Sequence, residues 1–209
     1  MRMLLHNKEE KRKKEVNTLP DKDADMLLKI EHEYSLFEKS LKEQGLGIVW
    51  ETEKGIYGAE KCRRLFDFFS KIGLKKYKHF LDIGSGDGRA VLIASLFTDA
   101  EGIEIDANLA DAGIKMRDKL GISKENCRLI CGDFLNPKLI DFGGFDFLFI
   151  NPDQGWHKGL EDKLLKEMKD DAVLFVNNNI FLPDRLKKGK SWWLGDKPVI
   201  EYRKKLRNG

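Results

Sequence analysis

No apolar run in the chain approaches the roughly 18 residues that a membrane span needs, so a membrane-spanning role is excluded at the outset. Met1-Arg-Met-Leu-Leu5 is too short for the apolar stretch of a secretory signal, and a cytoplasmic setting is expected. Cysteines number three, an odd count, and none has metal-ligand spacing, so neither a disulfide framework nor a metal site is expected. Cys127 and Cys131 fall on one face of a predicted strand and read as small buried hydrophobes. There is no internal repeat and no low-complexity linker. The net charge of +3 is too small to imply a polyanionic partner by itself. What remains is a chain of 209 residues, 41% hydrophobic, long enough for one substantial core.

The charge distribution says more than its sum. From Arg185 to Gly209 there are nine basic residues, opposed only by Asp196 and Glu201. The first fourteen residues carry Arg2, Lys8, Lys11, Arg12, Lys13 and Lys14 against Glu9 and Glu10. Two basic ends are either solvated runs that aid solubility or a frame for RNA, DNA or an acidic protein. Residues 1–19 lack a regular apolar stripe and are read as a charged N-terminal arm. Residues 20–56 are read as a helix and loop forming a substrate cap: Met26, Leu27, Ile30, Tyr34, Phe37 and Leu41 share one helical face, and Gly45 and Gly47 end it. Residues 48–58 read as a loop with an extended piece. The catalytic domain is placed at 57–209, opening on a helix over 59–72.

Strands and helices then alternate, which implies an α/β fold with a mostly parallel, doubly wound sheet. Strands are expected at 79–84, 101–105, 127–131, 145–150 and 172–177, with helices at 88–97, 108–120 and 158–169. The end departs from alternation: Ser191-Trp-Trp-Leu194 and Val199-Ile-Glu-Tyr-Arg203 flank Gly195-Asp-Lys-Pro198, two strands joined by a turn.

Phe80-Leu-Asp-Ile-Gly-Ser-Gly-Asp-Gly-Arg89 is the most informative stretch. A short apolar strand carrying Asp82 runs into Gly84, Ser85, Gly86 and Gly88, and a helix follows at once. Such a turn lets a ligand approach backbone without meeting a Cβ. A dinucleotide fingerprint, G-x-G-x-x-G/A, wants Gly or Ala at position 89, which is Arg. Further along, Glu101-Gly-Ile-Glu-Ile-Asp106 reads as a strand ending in Glu104 and Ile105, with Glu104 twenty residues after Gly84. Cys127-Arg-Leu-Ile-Cys-Gly-Asp-Phe134 ends in Asp133 and Phe134, and Phe145-Asp-Phe-Leu-Phe-Ile-Asn-Pro152 runs into a loop.

Together these segments, over residues 57 to 203, resemble the class I S-adenosylmethionine-dependent methyltransferases. The resemblance implies a Rossmann-like sheet closed by a hairpin with an antiparallel last strand. It implies S-adenosyl-L-methionine as cofactor, with Glu104 accepting from the ribose hydroxyls and Asp133 holding the adenine amine. Cofactor contacts are then expected from Asp82, Gly84, Ser85, Gly86, Gly88, Glu104, Ile105, Asp133, Phe134 and Asn151, with Tyr57 covering the methionine end. Family members acting on amide or exocyclic nitrogens carry Asn/Asp-Pro-Pro-aromatic after the fourth strand, where the Asn side chain and a backbone carbonyl hold the target amine. This chain keeps Asn151 and Pro152 but has Asp153 and Gln154 next, with an aromatic only at Trp156. Asn151, Pro152 and Asp153 are the expected catalytic residues, and Asp153 suits a charged ammonium. The Gly-Ser-Gly-Asp-Gly-Arg form also resembles short protein lysine methyltransferases.

The expected function is methyl transfer to a nitrogen of a macromolecule, a protein lysine or a nucleic-acid amine, bound through the N-terminal region and the basic C-terminal segment. Two alternatives stay open: a cofactor-binding module without transfer activity, and a dinucleotide-dependent oxidoreductase, against which Arg89 and the terminal hairpin argue. Arg89 reads as an exposed first-turn residue or a neighbour of the cofactor carboxylate. Trp192 and Trp193 face opposite sides of a strand, one toward the core and the other a possible substrate platform. His157 reads as a plain loop histidine. Asn177, Asn178 and Asn179 either cap the fifth strand or reach substrate.

Overall fold

The structure, a computed structural model, describes residues 21–47, 49–154 and 158–205. The charged arm, Pro20, Trp156, His157 and Arg207 lie outside the described residues.

In chain order the elements are α1 (Asp21–Glu43), β1 (Val49–Thr52), β2 (Gly55–Gly58), α2 (Cys62–Ile72), β3 (His79–Ile83), α3 (Arg89–Ala94), β4 (Asp99–Glu104), α4 (Ala107–Lys119), β5 (Cys127–Cys131), β6 (Phe147–Ile150), α5 (Leu160–Glu167), β7 (Val173–Asn177), β8 (Lys187–Leu194) and β9 (Lys197–Arg203). The sheet has seven strands in the order β5-β4-β3-β6-β7-β9-β8. The first five are parallel, and β9 runs antiparallel to both β7 and β8. This is the mostly parallel, doubly wound sheet that the resemblance implies, with its antiparallel closing hairpin.

β6 is apolar at every position, and β7 at every position before Asn177, because both faces are covered. Phe147 and Phe149 of β6 and Val173 and Phe175 of β7 face one layer, built on α1, α2 and α3. Leu148, Ile150, Leu174 and Val176 face the other, with Leu160 and Leu164 of α5. An aromatic stack crosses the first layer. The Phe147 and Phe175 ring centroids are 4.7 Å apart and nearly parallel, and Phe69 of α2 meets Phe149 edge-on at 5.8 Å.

Three local expectations are corrected. Residues 49–58 form an antiparallel hairpin, in which Trp50 pairs with Tyr57 and their rings lie 4.1 Å apart. The helix expected from 59 begins at Cys62. Cys127 is buried but Cys131 is exposed, because it ends β5 at the sheet edge. Trp192 packs against Phe175 and Trp193 is exposed, as alternation requires.

Candidate active site

Strand order reverses at β3, whose neighbours are β4 and β6. In open α/β sheets that reversal opens a crevice beyond the carboxyl ends of the strands. Here a cavity lies at that place, lined from β3 and its turn by Asp82 to Asp87, from β4 by Glu104 and Ile105, from the segment after β5 by Asp133 and Phe134, and from the loop after β6 by Asn151, Pro152 and Asp153. Tyr57 and Asn177 complete the wall. Every cofactor and catalytic residue expected from the sequence except Gly88 lines this one cavity; Gly88 packs behind the turn.

The turn itself is possible only with glycine. Gly84, Gly86 and Gly88 all take left-handed backbone angles, with φ of 75°, 54° and 77°. A Cβ on Gly86 would stand 3.3 Å from the Tyr57 ring, so hairpin and turn close on each other here. The amides of Gly84 and Ser85 both donate to the Ile103 carbonyl, at 2.9 and 3.0 Å, which ties the turn to β4.

Two of the carboxylates lining the cavity, Glu104 and Asp82, stand beside the glycine turn. Glu104 accepts from the Gly86 amide at 2.7 Å through Oε2 and from the Asp106 amide at 2.8 Å through Oε1. Burial raises its carboxyl above the ordinary value, while those amides pull it back down. Asp82 is 4% exposed, and its carboxylate has no hydrogen-bonding partner among the described residues. Burial pushes it well above the ordinary carboxylate range, and repulsion from Glu104 and Asp87 adds to this. A glycine cradle with left-handed backbone and carboxyl groups along its walls, Asp82 among them without a partner, fits a cationic nucleoside such as S-adenosylmethionine.

Arg89 is not exposed, although it lines the cavity. It is 4% exposed, and its guanidinium reaches Asp87 Oδ2 at 2.7 Å, Glu38 Oε1 at 2.8 Å and the Glu60 carbonyl at 2.9 Å. Its guanidinium carbon lies 4.5 Å from the Tyr34 ring centroid. Asp87 also accepts from the Tyr57 hydroxyl at 2.7 Å, and its carbonyl accepts from the Tyr34 hydroxyl at 2.8 Å. Asp87, through its carboxylate and its backbone carbonyl, thus joins α1, the hairpin, the glycine turn and α3. Sequence reasoning passed over Asp87. Its only local signal was an acid within the turn with an arginine two residues on.

The loop after β6 is tied down on both sides. Asn151 Oδ1 accepts from Asn177 Nδ2 at 3.1 Å and from Asn178 Nδ2 at 3.2 Å. The Pro152 carbonyl accepts from Asn178 Nδ2 at 3.0 Å. Asp153 accepts from the Ile56 amide at 3.0 Å, so its carboxylate also fastens the hairpin. Asp133 accepts from the Leu135 amide at 2.8 Å and remains exposed at the other end of the cavity. Of the basic C-terminal residues, Arg185 pairs with Asp162, Lys197 with Glu60 and Arg203 with Glu201. Lys187, Lys188 and Lys190 stand exposed along the edge strand β8. No helix among the described residues is long and apolar enough to cross a membrane.

Comparison with solved structures agrees with this architecture. The mitomycin 7-O-methyltransferase MmcR superimposes with a TM-score of 0.57 at 16% identity over 69% of this chain, which spans 54% of that one. An RNA methyltransferase from Salinibacter ruber, in complex with S-adenosyl-L-homocysteine, gives 0.54 at 19% identity, covering 71% of this chain and 94% of the other. A mutant of MtNAS in complex with S-adenosylmethionine gives 0.55 at 12% identity, covering 68% and 62%. At these identities the likeness is one of fold. No curated protein sequence matches the chain significantly. The family model described as the histone methylation protein DOT1 matches residues 50–191, well over half of the chain and all of the cavity's walls. The oxidoreductase and the inactive binding module, both left open by the sequence, give way to this match. The chain belongs to the DOT1 family of histone methylation proteins and is an S-adenosylmethionine-dependent methyltransferase.

Proposed function

We propose that the chain methylates a nitrogen of a macromolecule, specifically the side-chain amine of a protein lysine, and that the acceptor site is the loop Asn151-Pro152-Asp153. The observation that carries this reading is the loop's place: it lines the same cavity as the glycine turn and Glu104, next to the Asn177 end of β7. When bound, the cofactor supplies a methyl group on a sulfonium, which leaves as its electron pair returns to sulfur. The chain's task is then to orient the amine rather than to activate the methyl group. Asp82, the glycine turn, Glu104, Ile105, Asp133 and Phe134 hold the cofactor. Tyr57 closes over the turn, and residues 20–56 form the substrate cap. Asn151 Oδ1 and the Pro152 carbonyl accept N–H bonds from the target amine, leaving its lone pair directed at the methyl carbon. An incoming ammonium first gives one proton to solvent; the new N–C bond then forms from the freed lone pair, and the methylated nitrogen leaves as an alkylammonium. Asp153 places a carboxyl group beside an incoming ammonium.

Lysine is favoured over a nucleic-acid base by three features. The family model is that of a histone methylation protein. Asp153 stands where base-directed enzymes carry proline. No stacking aromatic immediately follows Pro152. Incorporation of labelled methyl into a cell lysate, followed by digestion, tests this: label released by protease and retained through nuclease is expected, and the opposite result rejects it.

A further inference from the structure

The two acceptor atoms assigned above to the target nitrogen are already bridged by a nitrogen of this chain. Asn178 Nδ2 lies 3.2 Å from Asn151 Oδ1 and 3.0 Å from the Pro152 carbonyl oxygen. Asn177 Nδ2 takes the same Asn151 oxygen at 3.1 Å. An amide oxygen offers two lone pairs, so an incoming N–H finds neither free. Asn177 is fixed: it is 1% exposed, and its own Oδ1 accepts from the Asn178 amide at 3.1 Å. Asn178 is half-exposed and has the one positive φ of a non-glycine residue among those described, 66°. Asparagine tolerates that conformation, and local strain of this kind gathers at functional sites. Its Oδ1 accepts from the Ile180 amide at 2.8 Å, which leaves the NH2 end aimed at the loop.

We propose that the Asn178 side-chain amide is an internal stand-in for the target nitrogen, filling the slot between Asn151 and Pro152 until an acceptor displaces it. The proposal rests on the reading of the loop given above and sharpens its substrate class. A group that fills the slot with two N–H donors, one on each carbonyl, defines a primary nitrogen whose lone pair is left over. The neutral amine of lysine meets that requirement. A nitrogen that already carries one methyl keeps a single N–H when neutral and loses one of the two bonds. The principal product therefore carries one methyl group.

Asn178→Gly removes the amide and keeps the left-handed backbone, which glycine adopts freely. Full-length protein is assayed with S-adenosylmethionine and a lysine-bearing histone-tail peptide as the probe. KM for the peptide is expected to fall roughly 3- to 30-fold without loss of kcat, as one or two competing hydrogen bonds disappear. Asn178→Asp, which keeps the Ile180 contact but has no N–H to donate, should shift KM the same way. Product mass should show the monomethylated peptide dominating. Lower kcat at unchanged KM in both variants overturns the stand-in and makes Asn178 a support for Asn151. Equal rates for first and second methyl groups overturn the primary-nitrogen class. Asn151→Ala, read in parallel, separates the premises: undiminished kcat there removes the acceptor loop itself, whereas failure confined to the Asn178 variants removes only the stand-in.

Discussion

The Tyr57 hydroxyl donates to Asp87 Oδ2 at 2.7 Å, and that bond fastens the hairpin to the glycine turn. Burial and the neighbouring Asp87 carboxylate raise the phenol far above its ordinary value, so it stays a donor throughout the physiological range. Arg89 completes the joint from the other side of the same carboxylate. The cofactor cavity is therefore assembled by three elements distant in sequence and held by one buried acid.

Loss of that joint should be measurable in stability. Tyr57→Phe removes a hydrogen bond to a charged group and should lower unfolding free energy by about 1.5–3 kcal/mol in urea titration. Arg89→Ala strands the Asp87 carboxylate and should lower it by about 3–5 kcal/mol. If either variant unfolds at the wild-type midpoint, the joint contributes nothing.

Glu104 holds the Gly86 amide with one oxygen and the Asp106 amide with the other. If it also receives the ribose hydroxyls, Glu104→Ala should weaken S-adenosylmethionine binding by about 1–3 kcal/mol in calorimetric titration. Unchanged affinity would mean that Glu104 only shapes the turn.

Asp82 gives a pH signature. Its folded-state carboxyl is raised by burial and by repulsion from Glu104 and Asp87, so the folded chain holds a proton that the unfolded chain has released. Stability without cofactor should then fall as pH rises from the ordinary carboxylate range through the raised value. Asp82→Asn lacks this proton and should melt increasingly above wild type over that window, while binding the cationic cofactor less well. A melting difference that does not change with pH would contradict this assignment.

The cysteines divide by burial. Burial pushes the Cys62 and Cys127 thiols up to about 12, whereas Cys131 is exposed at the edge of the sheet. Alkylation of the native protein at neutral pH should therefore modify Cys131 first, as read by peptide mass. Faster reaction at Cys62 would indicate that α2 opens readily.

Much of this architecture is legible because local signals agree with the tertiary ones. Phe147 to Ile150 and Val173 to Asn177 are continuous buried runs, the pattern of strands covered on both faces. The glycine turn and Glu104 are legible because each needs a particular residue at a particular place. The burial of Arg89 was not legible, because a charged residue opening a helix looks exposed and its partner Glu38 is 51 residues away. The 49–58 hairpin was only half seen, since a four-residue strand offers little alternation and is held by Asp153, 97 residues on from Ile56. The saturation of Asn151 was invisible for the same reason: its donors are the last residue of the next strand and the one after it, 26 and 27 residues later.

The central claim is that Asn151 orients the acceptor nitrogen. The most direct measurement is steady-state methylation of a lysine-bearing histone-tail peptide by Asn151→Ala, alongside cofactor affinity. Orientation acts on the chemical step, so kcat should fall roughly 10- to 100-fold while S-adenosylmethionine binds as in wild type. Wild-type kcat on the same peptide would contradict the account and move the acceptor site away from this loop.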